Sequence, residues 1–344
     1  MKIYQPILSE TFMPFSTKTD DFMKLLRHGN ERKTPFWEVW FYMFDFCNRR
    51  YGAYEIIENR IAMAQDLGMD AVPLCYMDTN SLFVKSSNDS GGVSHYDGGL
   101  LTSLGQLASQ KYPDLKCHLN KLKEEQRKIT DAGLTGWMTL MHCFHAGNIS
   151  MGLENLSLKI YDDPEFVHEY FEWVELRSRI AIEEIVAEVM PDFVLFDGDC
   201  AFKSGLMVRP ELYRTFVFEK TRQTVSLLKK LGIPYTFHSD GKADSLLPIL
   251  IELGFSAFHG CEKAANNLCE LVECFGQDIC LVGNMDISLL ANSSPELIRM
   301  ETEKMLAEGA AKGAFIAACN TSPQDYIPDE NYLAFCDVIK NFEK

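Results

Sequence analysis

Residues Asp192–Asp199 read DFVLFDGD, Pro234–Asp240 read PYTFHSD, Phe255–Glu262 read FSAFHGCE, Cys280–Asp286 read CLVGNMD and Ala314–Asn320 read AFIAACN. Each is a short apolar run that ends in acids, imidazoles, thiols or amides. The segments between them carry helix punctuation. Pro210–Leu231 has proline at its start and Gly232 just past its end, and Asp244–Leu253 stops at Gly254. A third helix is expected from Asn267 to Phe275, and Pro295–Lys312 stops at Gly313. Proline suits the first helical turn, and glycine suits the position just beyond the last. Short apolar strands alternating with helices mean parallel strands covered by helices.

Working back toward the N-terminus, Pro35–Tyr42, Ala71–Met77 and Gly136–His142 bring the candidate strands to eight. The pattern predicts an α/β fold: one (β/α)₈ TIM barrel over residues 1–344, with 1–34 as an N-terminal helical extension. Loop insertions are expected at the C-terminal face, the clearest being the polar, glycine-rich Ser86–Gly99 (SSNDSGGVSHYDGG). Barrels run to roughly 250 residues or more with insertions, so 344 residues fit one domain. No GxGxxG follows a strand, which disfavours a dinucleotide-binding sheet.

Composition narrows the function classes. Hydrophobic residues make up 47% of the chain, enough for a large core. A net charge of −16 argues against a nucleic-acid groove and against anionic membranes. No window approaches ~18 uninterrupted apolar residues, so no membrane span is expected. The start, MKIYQPILSETFMPF, shows no basic stretch followed by an apolar run, and no signal peptide is expected. Eleven cysteines without framework spacing point to reduced thiols and a cytoplasmic enzyme.

In a parallel barrel, side chains at the C-terminal strand ends converge on one face. Here those ends supply Asp197 and Asp199, His238 and Asp240, His259, Cys261 and Glu262, Asn284 and Asp286, and Cys319. His238 and Cys319 are the primary metal candidates, because imidazole nitrogen and thiolate sulfur are favoured zinc donors. The His-x-Asp spacing puts Asp240 on the same side of an extended segment as His238. Glu262 or Cys261 completes the ligand set from the next strand, and three ligands plus an open position make a catalytic site. Taken one at a time, these residues have plainer roles: a capping Asp, a buried Cys, a hydrogen-bonded His. Their recurrence at one depth in successive units favours a site. His142 and His145, in MHCFHAG, are candidates to line the cavity, whereas Cys47, Cys75, Cys117, Cys269, Cys274 and Cys336 read as core packing.

From Asp192 to Phe335 the chain resembles the uroporphyrinogen decarboxylase superfamily. The resemblance rests on LFDGDCAFKSGLMVRPELYRTFV (195–217), LKKLGIPYTFHSDGKADSLLPILIELGF (228–255), LVGNMD (281–286) and AACNTSPQDYIPDENYLAF (317–335). It is weaker in GLENLSLKIYDDPEFVHEYFEW and further back. It implies a (β/α)₈ barrel. True decarboxylases of this superfamily are metal-free and carry an arginine-rich RQAGR-type segment after the first strand. Here that region reads FWEVWFYMFDFCNRRYG, with Arg49 and Arg50 but not the motif. The zinc-dependent, corrinoid-linked branch, which includes methylcobamide:coenzyme M methyltransferases, has a His-x-Cys on one strand end and a Cys near the last strand. His238 and Cys319 match that pattern, Glu262 lies near the Glu that the similar cobalamin-independent methionine synthases add between, and Asp240 departs from the pattern by standing where the branch has Cys.

The resemblance therefore implies a zinc-dependent methyltransferase that moves a methyl group from a methylated corrinoid protein to a thiol or similar small acceptor. Its metal ligands are drawn from His238, Asp240, Glu262, Cys261 and Cys319, and Asp197, Asp199 and Asp240 position the acceptor or take its proton. The implied cofactor is Zn²⁺, with the corrinoid carried by the partner protein. The implied partners are that protein, the small acceptor and a second copy of the chain, with no nucleic acid and no membrane. Tetrapyrrole decarboxylation and a non-catalytic binding barrel are the rival readings.

Overall fold

The computed structural model describes residues 20–26, 34–74, 82–88, 94–110, 115–311 and 313–342. The strands are β1 (Ala71–Pro73), β2 (Val84–Asn88), β3 (Ser94–Gly99), β4 (Thr135–Met141), β5 (Phe193–Asp197), β6 (Ala201–Phe202), β7 (Gly205–Leu206), β8 (Tyr235–His238), β9 (Ala257–His259), β10 (Cys280–Met285) and β11 (Phe315–Cys319). Seven of them form one curled parallel sheet in the order β1-β4-β5-β8-β9-β10-β11. Helices cover its outer face, as parallel strands joined by helical crossovers require.

The expected strand at Pro35–Tyr42 is present only as extended chain with isolated bridges, Phe36 to Ala317 and Tyr42 to Gln324. Even so, it touches both sheet edges. Trp37 N–H donates to the Ala317 carbonyl (3.0 Å), Ala317 N–H donates to the Pro35 carbonyl (2.8 Å), and Asp70 N–H donates to the Phe36 carbonyl (2.8 Å).

Strand alternation sorts the apolar residues into two layers. Inside the curl lie Trp37, Trp137, Phe193, Leu195, Val282, Ile316 and Ala318. Trp137 stacks on Phe193 (5.9 Å, 14°) and meets Trp37 edge-on (5.4 Å, 82°). Phe22, Met23, Leu25 and Leu26 of the helix Asp20–Leu26 join this inner cluster. Between sheet and helices lie Phe196, Phe237, Phe258, Ala317, Cys319, Tyr332 and Phe335, with many others.

The second-half helices fall where expected, with two adjustments. Pro210–Leu231 is continuous but widens into a π-helical turn over Tyr213–Phe218, where the Tyr213 hydroxyl donates to the Cys200 carbonyl (2.6 Å). The helix from Pro295 ends at Gly309 rather than near Lys312. Gly232 and Gly254 are left-handed caps at φ 70° and 82°. The stretch read as a loop at Ser86–Gly99 instead holds all of β3 and most of β2, which pair antiparallel. Its strands are polar on both faces, so no hydrophobic alternation announces them. Of Ala71–Met77, residues 71–73 are strand, while Cys75 and Met77 lie outside the described residues, as does most of the 1–34 extension.

Candidate functional site

Parallel register brings Met141, Asp197, His238 and His259 to one level on four consecutive strands. Inner-layer Phe193 and Ala257 have the same strand parity as Asp197 and His259, so these two residues face into the curl at its C-terminal end. The chain then turns sharply. In Ser239–Gly241, Gly241 has φ 80°, and a Cβ there would lie 2.7 Å from the Ala201 carbonyl oxygen. Gly260 has φ 127°, and a Cβ there would lie 2.2 Å from the Ser239 carbonyl oxygen. Only glycine allows these two strand ends to approach so closely.

The turns bring Asp199, His238 and Asp240 together, with one donor atom from each within 4.8 Å of the others. His238 Nε2 lies 3.8 Å from Asp199 Oδ1 and 3.9 Å from Asp240 Oδ1. Both gaps exceed hydrogen-bond reach. Donors around a tetrahedral zinc with bonds of roughly 2.1 Å sit about 3.4 Å apart. A small inward shift therefore fits a divalent cation between the three. Asp240 Oδ1 is buried and has no hydrogen-bond partner, an acceptor that such an ion would satisfy.

Neighbouring groups hold the trio in place. Asp199 Oδ1 accepts the Asp240 N–H (3.0 Å), and Asp199 N–H donates to His145 Nδ1 (3.2 Å). Glu262 accepts the Gly241 N–H through Oε2 (3.0 Å), while its Oε1 lies 3.4 Å from Lys203 Nζ. Burial pushes the Asp240 carboxyl up to about 6, and the charges of Asp199 and Glu262 push the same way. His238 and a hydrogen bond from Thr321 oppose that shift. Behind His238, its Nδ1 lies 2.8 Å from Nδ1 of buried His259.

The two candidate thiols stand apart from this trio. Cys319 pairs with Met285, and both side chains pack in the outer layer, with the opposite strand parity to Ala318. Cys319 N–H donates to Glu38 Oε2 (3.1 Å), and the Tyr332 hydroxyl donates to Glu38 Oε1 (3.1 Å). Burial lifts Glu38 to about 7, and burial, with the adjacent Glu38, raises the Cys319 thiol well above its ordinary value. Cys261 adopts φ 43°, packs in the outer layer, and is pushed up to about 12 by burial. The donor set that the fold assembles is one imidazole and two carboxylates, harder than a set that includes the thiolate of Cys319 or Cys261.

Sequence reasoning named Asp199 as catalytic, not as a neighbour of the metal candidates. It left His259 and Thr321 without roles. A second ligand-type group, His142, Cys143 and Glu175, is fully buried elsewhere. There Glu175 accepts from Thr221 Oγ1 (3.1 Å) and Thr224 Oγ1 (2.5 Å), and burial pushes His142 down to about 3. His145, by contrast, reaches the site through Asp199.

These features define an α/β protein whose polar centre sits at the carboxyl ends of a parallel sheet, the position at which this architecture binds ligands. The family described as Uroporphyrinogen decarboxylase (URO-D) matches residues 117–342, and the chain belongs to it. No curated protein sequence matches the chain. Among solved structures, a methyltransferase from Methanosarcina mazei is similar, with a TM-score of 0.75 at 15% identity over 96% of this chain and 99% of that one. A B12-independent methionine synthase from Shewanella sp. W3-18-1 in complex with selenomethionine gives a TM-score of 0.46 at 12% identity, over 84% of this chain and 88% of that one. Among the described residues no helix is long and apolar enough to cross a membrane.

Proposed function

We propose that the protein is a metal-dependent methyltransferase whose cation is held by His238, Asp199 and Asp240, with Glu262 beside them. The reading takes the curled sheet as closed into an eight-membered barrel through residues 35–37, whose hydrogen bonds reach both edges. The observation that carries the proposal is the trio of donors within 4.8 Å at the strand ends, one of them a buried, unpartnered carboxylate oxygen.

A bound divalent ion, zinc in the family pattern, supplies Lewis acidity that lowers the pKa of a thiol or similar acceptor. The chain's own groups do the rest. His238 and the two carboxylates fix where the acceptor atom sits. Burial lifts the Asp240 carboxyl to about 6, so taking up the ion would release its proton near neutral pH. Asp197, level with His238 on the adjacent strand, orients the acceptor from the same face. The methyl donor in this reading is a corrinoid protein seated over the rim, as in the similar methyltransferase branch. Cys319 and Cys261 remain the sulfur donors that a rearranged site would recruit.

Tetrapyrrole decarboxylation is less well supported, because it needs cations to hold several carboxylates. The site presents acids, and Arg49 is engaged by Asp329 (2.7 Å) while Arg50 lies over the Phe46 ring (5.5 Å).

Elemental analysis tests the metal assignment. The purified protein is expected to carry about one divalent ion, and His238→Ala and Asp199→Ala to lose it. Full occupancy in both variants would overturn the assignment. Transfer from methylcobalamin to a panel of thiols tests the chemistry, and incubation with uroporphyrinogen tests the rival.

A further inference from the structure

We infer that His259 is a positioning residue that locks His238 in one tautomer and aims its Nε2 lone pair at the two carboxylates. The inference rests on the reading of His238 as a metal ligand. Its basis is the 2.8 Å separation of the two Nδ1 atoms, with the rings at 4.9 Å and 46°. Two nitrogens at that distance need one proton between them, and two lone pairs would repel. Both residues are buried, so a pair of adjacent imidazolium ions is excluded on desolvation grounds.

For the neutral pair, the form in which His238 can bind a cation, two arrangements are possible. If His259 donated its Nδ1–H, His238 would carry its own proton on Nε2, facing Asp199 and Asp240 across 3.8 and 3.9 Å, too far to bond to either. If His238 donates, its Nε2 is a bare lone pair turned to the gap between two carboxylates, which is the form a cation requires. The surroundings of His259 hold its ring for this purpose. It sits on the inner face of β9, and Trp37 meets it edge-on at 5.9 Å. The Gly260 turn behind it tolerates no Cβ, so the strand end has little freedom to slide. The donated proton thus fixes both the orientation and the protonation site of the imidazole. A chain of histidines replaces the more usual carboxylate or carbonyl behind a ligating His.

The test separates tautomer from metal. Long-range ¹H–¹⁵N spectra of the metal-free protein are expected to show His238 protonated on Nδ1 and bare on Nε2. His259→Gln offers a side-chain oxygen as acceptor and should keep that signature, with zinc affinity within a few-fold of the parent. His259→Leu removes the acceptor and should lose the signature, with affinity falling about 10- to 100-fold in competition against a chromophoric chelator. Thermal unfolding of the two variants is compared, so that loss of fold is read separately. His238 protonated on Nε2 in the parent would overturn the inference, as would parent-like affinity in a folded His259→Leu. Failure of the parent itself to bind zinc would instead overturn the metal reading, while the tautomer spectrum would still decide the pairing.

Discussion

Glu38 makes the stability of this protein depend on pH in a direction opposite to that of most carboxylates. The side chain is fully buried beside Cys319 and Tyr332, and burial lifts its pKa from 4.5 to about 7. A carboxyl with a raised folded-state value binds its proton more tightly when folded than when unfolded. Its contribution is therefore complete below about pH 4.5 and is lost as pH rises toward 7. A shift of about 2.5 units at about 1.36 kcal/mol per unit gives a full span of about 3.4 kcal/mol, of which about 2.5 kcal/mol falls between pH 5 and pH 8. Glu38→Gln keeps the shape and an oxygen for the Cys319 N–H, but cannot ionise. Urea unfolding of both proteins at pH 5, 6, 7 and 8 reads the difference. Relative to the parent, the variant should gain about 2.5 kcal/mol across that range, and taking the difference cancels every other titrating group. Parallel profiles would refute the reasoning and would mean that Glu38 stays ionised in its pocket.

His142 bends the profile the other way. Its pKa is pushed down to about 3 from 6.5, so its cost grows as pH falls below 6.5, and His142→Gln should flatten the acid limb of an unfolding series. Gly260→Ala places a Cβ 2.2 Å from the Ser239 carbonyl oxygen at φ 127°, and should cost about 2–4 kcal/mol in denaturant titration. Zinc affinity should fall in parallel, because the displaced backbone carries Asp240. Trp137→Ala removes the centre of the inner aromatic cluster and should cost about 3–5 kcal/mol, with an unchanged midpoint refuting its placement there.

The second half of the fold was legible because its strands are buried on both faces and its helices end on glycine. Gly232 and Gly254 mark the stops, and DFVLFDGD or CLVGNMD can be little else than a covered strand. The hairpin of β2 and β3 was not legible, since SSN and SHYDGG hold together by backbone pairing rather than by an apolar face. Residues 35–42 were half legible: their aromatic pattern marks extended chain, but pairing depends on register with Ala317 and Gln324, far away in the sequence.

The candidate site shows the same division. That His238 and Asp240 meet follows from their spacing, but Asp199 joins them only through the tight chain path at Gly241 and the hydrogen bond from the Asp240 N–H to its Oδ1. Cys319 illustrates the limit of depth without parity. Its position at the end of a strand was correctly anticipated, yet the side a residue faces flips with each step, and a count from Ile316 and Ala318 shows the thiol turned toward the helices. His259 was seen as a strand-end imidazole, but its worth lies in a 2.8 Å contact across two strands that no spacing encodes.

The packing of Phe22, Met23, Leu25 and Leu26 against Trp37, Trp137 and Phe193 gives the molecule a stoppered base. His238 is then approached from the rim where the strands end, beside the half-exposed Asp199 and Asp240. If a corrinoid protein docks on that rim as proposed, it and a small acceptor would compete for one threshold. Turnover would then be a matter of taking turns, with the residence time of the larger visitor setting the tempo for the smaller.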